Sequence, residues 1–131
     1  MNNSKALMNY WIGSAKHDYV TMESLFESKR YADSLFYGHM VLEKILKALV
    51  VKKTHRHPKP IHNLLVLLND SGIELSGEEI EFLAEVNKFN IKARYPDYKL
   101  SFYKVCNFRY VNPRLEKIKS IFRTLWLRLK Q

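Results

Sequence analysis

The chain has 131 residues, 47% of them hydrophobic and 27% charged, with only 4 Gly and 4 Pro. That excludes a disordered or low-complexity polypeptide and fits one domain with few breakers, which favours long helices over many short strands. The 22 Lys and Arg against 13 Asp and Glu give a net charge of +9, which suits a polyanionic or acidic partner but would also serve solubility alone.

A first helix, with Ser4 as its cap, carries Leu7, Trp11, Ala15, Asp18, Met22 and Leu25 at steps of four and three. Asp18 interrupts this apolar stripe. A carboxylate there is costly unless paired, so it is expected to meet a basic or hydrogen-bonding group from residues 38–47 of a facing helix. A structural pair and a catalytic acid or base are both open at this position.

The polar stretch 27–30 is a short connection and implies an antiparallel second helix. Residues 31–53, YADSLFYGHMVLEKILKALVVKK, place Leu35, His39, Leu42, Leu46 and Leu49 on one stripe, widened by Phe36, Val41, Ile45 and Ala48. A face that broad needs more than one neighbour, and a length of roughly 30–35 Å suits the central member of a bundle. Gly38 on this helix suggests close approach of another backbone. Glu43 and Lys47 stand at i and i+4, and Lys44 lies beside Lys47. The simplest reading is a solvated charged face; the other is a pair of cations that together hold a phosphate.

Residues 54–60, THRHPKP, form a loop because Pro58 and Pro60 break any helix. His55, His57 and His62 lie close in sequence, but no cysteine accompanies them and their spacing matches no zinc pattern, so neither a metal nor another cofactor is expected. His62 is expected near the first turn of a third helix that ends at Gly72, where it suits a phosphate or acid–base position, or simply packs against a neighbouring helix. Ser76 and Glu79 spell a capping box opening a fourth helix, which Pro96 ends at about Arg94.

From 90 to 112 the helical period is lost and aromatic residues mix with basic ones, an arrangement that could stack bases or cover one end of the bundle as a loop. Asn112 and Pro113 then open the last helix. Its core stripe is Leu115, Ile118, Phe122, Leu125 and Leu129, and Arg114, Lys117, Lys119, Arg123, Arg128 and Lys130 make the remainder basic, able to grip RNA or an acidic partner. Cys106, the lone cysteine, rules out an internal disulfide and reads as a small buried or half-buried apolar residue. No apolar run approaches the roughly 18 residues of a membrane span and residues 1–19 lack the apolar core of a signal peptide, so a single cytoplasmic domain over 1–131, with no membrane association, is expected.

Taken together, Trp11, Ala15 and Asp18, Tyr31 and Ala32, Glu43-Lys44 and Lys47-Ala48-Leu49, His62 with Leu64, Leu67 and Leu68, and Arg94-Tyr95-Pro96-Asp97 resemble a HEPN domain over about residues 8–126. The resemblance implies an all-α, antiparallel (up-and-down) bundle of four long helices plus a short additional helix. It also implies a homodimer of the small prokaryotic kind often paired with a minimal nucleotidyltransferase in toxin–antitoxin-like modules, and a nucleotide-binding role. Many such proteins are metal-independent ribonucleases using an arginine followed four to six residues later by a histidine, at the interface of two protomers. Here Arg94 and Arg109 have no histidine after them. Arg56 and His62 have the spacing but lie ahead of the place where the family carries that motif.

Two functional expectations follow. In the first, a non-catalytic module binds a nucleotide or nucleic acid, or a nucleotidyltransferase partner, through a polar cluster of Asp18, Glu43, Lys44, Lys47, His62 and Arg94. In the second, a ribonuclease uses Arg56 to stabilise phosphorane-like charge and His62 to move a proton, across a dimer interface. A purely structural dimer with acidic partners would show neither affinity.

Overall fold

The computed structural model describes residues 3–131, so Met1 and Asn2, at the start of the expected domain, lie outside the described residues. Its elements are α1 (Ser4–Glu27), α2 (Tyr31–Thr54), α3 (Leu64–Ser71), α4 (Gly77–Arg94), α5 (Pro96–Val105) and α6 (Phe108–Leu129). No strand occurs among the described residues.

The breadth of the apolar face on α2 makes it the hub. It packs against α1, α3, α4, α5 and α6, and its second half, from Ile45 to Val51, is buried throughout. The connection 28–30 returns the chain along α1: Phe26 meets Tyr31 beside the turn, and at the far ends Ser4 Oγ lies 3.2 Å from His55 Nδ1. α6 runs in the same direction as α2. Gly38 faces Ile118 so closely that a Cβ there would stand 2.6 Å from Ile118 Cδ1, which is why glycine occupies a mid-helix position it otherwise disfavours. Farther along, Lys52 Nζ donates to the carbonyls of Arg128 (3.0 Å), Leu129 (3.1 Å) and Gln131, placing a cation on the otherwise unsatisfied C-terminal carbonyls of α6. Arg114–Glu85 joins α6 to α4, and Lys119–Glu23 joins it to α1.

The helix ends match the sequence reading in part. Ser76 and Glu79 form the capping box, and Gly72 closes α3 at φ 71°. Four boundaries are corrected. Ser4 is the first helical residue of α1, after the N-cap position Asn3, whose side chain makes no capping bond. α3 begins at Leu64, because Asn63 accepts hydrogen bonds from the backbone N–H groups of Leu65 and Val66. The stretch 90–112, expected as a loop, is largely helical: Tyr95 is extended, Pro96 starts α5, and α5 docks through Phe102 stacked on Phe89. Finally, α6 starts at Phe108, capped by Asn107, and contains Pro113. Two short helices, α3 and α5, therefore accompany the four long ones, where one was expected. Among the described residues no helix is long and apolar enough to cross a membrane.

Candidate functional site

Glu43 and Lys47 of α2 do not belong to a solvated face. Glu43, at 2% exposure, lies in the core, and Lys47 beside it is 5% exposed. One turn apart on the helix, Lys47 Nζ donates to Glu43 Oε2 at 3.0 Å, with the ring of Trp11 from α1 5.0 Å from the ammonium. Asp18 meets Lys44 Nζ at 2.6 Å, the basic partner from α2 that its place in an apolar stripe requires. The contact is an ion pair without hydrogen-bond alignment.

Glu43 also turns outward through its second oxygen. His62 Nδ1 lies 2.9 Å from Glu43 Oε1, and since a carboxylate only accepts, Nδ1 carries the proton. The remaining ring nitrogen, Nε2, is then the open end of a half-exposed imidazole whose side chain is 51% accessible. This carboxylate–imidazole pair fixes tautomer and orientation, as in dyads that prepare histidine to accept a proton at Nε2, which only then donates to an anion.

The position of His62 is set by its neighbours. Its carbonyl accepts a hydrogen bond from Nε2 of the buried His39 at 2.9 Å. Asn63 caps α3 and accepts from Asn87 Nδ2 at 3.1 Å, while Asn87 Oδ1 accepts from the N–H of Leu64 at 2.9 Å. α2, α4 and the start of α3 thus clamp the segment that carries His62. His62 precedes α3 by two residues and so does not sit in its first turn.

His39, Asn63 and Asn87 were not singled out as site residues from the sequence. His39 and Glu43 are one turn apart, and Asn63 is an asparagine directly before an apolar run; both are readable signals. His39 Nδ1 lacks a hydrogen-bond partner and sits 3.7 Å from Glu43 Oε1. Burial holds the ring below the ordinary histidine range, against the opposing pull of Glu43 and of the bond to the His62 carbonyl.

Arg94, at the end of α4, is exposed. Its Nε donates to Asn90 at 2.7 Å and its guanidinium lies 5.2 Å from the Phe36 ring centroid, close enough to His39 to disfavour a second positive charge there. Arg56 is exposed and lines a groove of about 440 Å³ with Thr54, His57, Lys59 and Asp70. His62 is not part of that groove, and no hydrogen bond or ion pair joins it to Arg56 among the described residues. Likewise, among the described residues no group of three or more His, Cys, Asp or Glu could hold a metal ion.

The arrangement is thus one ion pair within α2, which holds His62 at the surface, and one between α1 and α2, with Arg94 close to the buried His39. A family model of the HEPN domain matches residues 8–124. Comparison with curated proteins gives no match. The fold is similar to the crystal structure of TT1696 from Thermus thermophilus, with a TM-score of 0.76 and 20% identity over 95% of this chain and 97% of that one; at that identity the likeness is one of fold.

Proposed function

The chain belongs to the HEPN domain family, and from that premise we propose that it is a non-catalytic binding module for a nucleotide or nucleic acid, pairing with a minimal nucleotidyltransferase in a toxin–antitoxin-like module. On this reading it is a single cytoplasmic domain that works as a homodimer. The pairing of α1 with α2 and the shared direction of α2 and α6 support an up-and-down order for the long helices.

The observation that carries the proposal is the Glu43–His62 hydrogen bond. Among Asp18, Glu43, Lys44, Lys47, His62 and Arg94, three permanent cations face two carboxylates, so the cluster keeps one positive charge, or two with His62 protonated. Lys44 and Lys47 are spent on Asp18 and Glu43, so a phosphate meets His62 and Arg94 first. The inner pairs set the orientation and charge behind them.

The test is titration of a fluorescent ATP analogue at 150 mM salt. Saturable binding weakened at least ten-fold in His62→Ala and Arg94→Ala, both surface changes that leave the fold intact, supports the module. Absence of binding to the analogue, to RNA and to a nucleotidyltransferase overturns it.

The same dyad favours one alternative, a metal-independent ribonuclease in which His62 moves the proton and Arg56 of the partner protomer stabilises the developing charge. Cleavage of mixed RNA in EDTA by wild type, abolished in His62→Ala, would establish it. Intact RNA in both would dismiss it.

A further inference from the structure

A second, aromatic groove shares no residue with the histidine cluster. Between α1 and α6, a groove of about 260 Å³ is lined by Lys16, Tyr19, Lys119, Phe122, Arg123 and Trp126. Its floor is a run of three partly exposed rings: Tyr19 and Phe122 have centroids 5.0 Å apart, and Phe122 and Trp126 stack at 6.0 Å with 24° between planes. The walls are cationic on both sides. Lys16 comes from α1, with its ammonium 4.8 Å from the Trp126 ring, and Lys130 stands 4.6 Å from the same ring. Arg123 is exposed, and Lys119 leans towards Glu23 at 3.4 Å, a wide ion pair that a stronger anion can replace.

We infer that this groove is a binding surface for single-stranded nucleic acid, with bases stacked along Tyr19, Phe122 and Trp126 and backbone phosphates on Lys16, Lys119 and Arg123. It rests on the nucleic-acid branch of the proposed function but places the polymer on α1 and α6. The choice of occupant follows from the pairing of flat faces with cations. A row of rings at roughly the spacing of successive unstacked bases, between positive walls, matches a ligand that alternates planar groups with negative charges. An acidic peptide would use the walls and leave the rings idle. A second copy of the chain would set three cations against their own images. A duplex keeps its bases stacked inside and could not reach the floor.

The test uses a fluorescein-labelled ten-residue oligouridylate in EDTA at several salt concentrations. A duplex of equal length and a decaglutamate peptide serve as competitors, and light scattering follows the mass of the free protein. The expected result is saturable binding of the single strand that quenches Trp126, with weaker competition by duplex and peptide. Trp126→Phe should bind almost as well but lose most of the quenching, and Trp126→Leu should bind about ten-fold more weakly. The exposed Arg123→Glu should weaken binding by a similar factor and flatten its salt dependence by more than one ion.

Unchanged affinity in Arg123→Glu and Trp126→Leu overturns the inference, as does decaglutamate binding as tightly with the same quenching, or a dimer lost on Arg123→Glu with no oligonucleotide bound. If the single strand binds and is lost only in His62→Ala, the groove falls and the histidine cluster stands. If the groove variants abolish binding while the ATP analogue never binds, the groove stands and the cluster loses its nucleotide.

Discussion

The pair Glu43–Lys47 offers the sharpest quantitative test, because its two side chains are 3% and 7% exposed and 3.0 Å apart. Glu43→Leu strands the Lys47 ammonium under Trp11 with no acceptor, and breaking a buried pair in this way costs about 3–5 kcal/mol. Lys47→Met costs less, about 2–3 kcal/mol, because Glu43 keeps its hydrogen bond from His62. The double variant removes both charges and fills the space with similar volume. It should lie within about 1 kcal/mol of wild type, the remainder being the lost His62 bond. Urea unfolding at pH 7 measures all three, and the double-mutant cycle should return a coupling of about 4 kcal/mol or more. Single variants that each cost less than about 1 kcal/mol and add in the double would mean that water reaches the pair and that burial does not set its cost.

Other outcomes are equally definite. Gly38→Val should cost about 2–3 kcal/mol by overpacking Ile118 and Met22. Gly38→Ala should be better tolerated in an Ile118→Val background, where the clashing Cδ1 is gone, than in wild type; the reverse order in thermal melts would show that another atom limits the space. His39 is held below the ordinary histidine range by burial, so above about pH 6.5 both folded and unfolded forms are neutral and its contribution is fully present. As pH falls from there through the folded value, the unfolded chain takes up the proton first and stability drops, by at most about 1.4 kcal/mol per pH unit. His39→Gln, which retains a donor for the His62 carbonyl, should show a shallower loss between pH 6.5 and 5, and equal slopes would remove His39 as the cause. Cys106, 6% exposed, has its thiol pushed up to about 12 by burial. At pH 8 it should react with an aromatic disulfide reagent far more slowly in the native protein than in urea, and equal rates would contradict its burial.

Much of this architecture was legible because single positions carry strong constraints. Asp18 in an apolar stripe required a cation from α2 and found Lys44; Gly38 required a close neighbour and found Ile118. The errors came where two signals competed. Pro113 reads as a helix start, yet Asn107 is the better cap, and α6 carries the proline at its sixth position despite the lost N–H bond to the Arg109 carbonyl and the crowding of that carbonyl by the ring. The aromatic stretch 90–112 lacked a period because α5 buries only Phe102 and leaves Tyr98, Leu100 and Val105 exposed. The Glu43–Lys47 spacing is the same on a wet face as in a core, so sequence could not tell a decorative pair from a buried one. The packing of α1 and the His62 segment over α2 decides that, and no local pattern encodes it.

The central place of α2 also sets how the molecule breathes. A helix that touches five others exposes its amides only when the whole bundle opens, so the backbone of 41–51 should exchange with deuterium at the rate of global unfolding. α5 is held by the Phe102–Phe89 stack and by Tyr103 donating to Asp33 at 2.8 Å, and should exchange through cheap local openings that leave the rest untouched. The protein is therefore built as a slow-opening axle with one fast-opening flap. Pulse-labelling that found α2 and α5 opening together would show instead that the six helices behave as one cooperative unit.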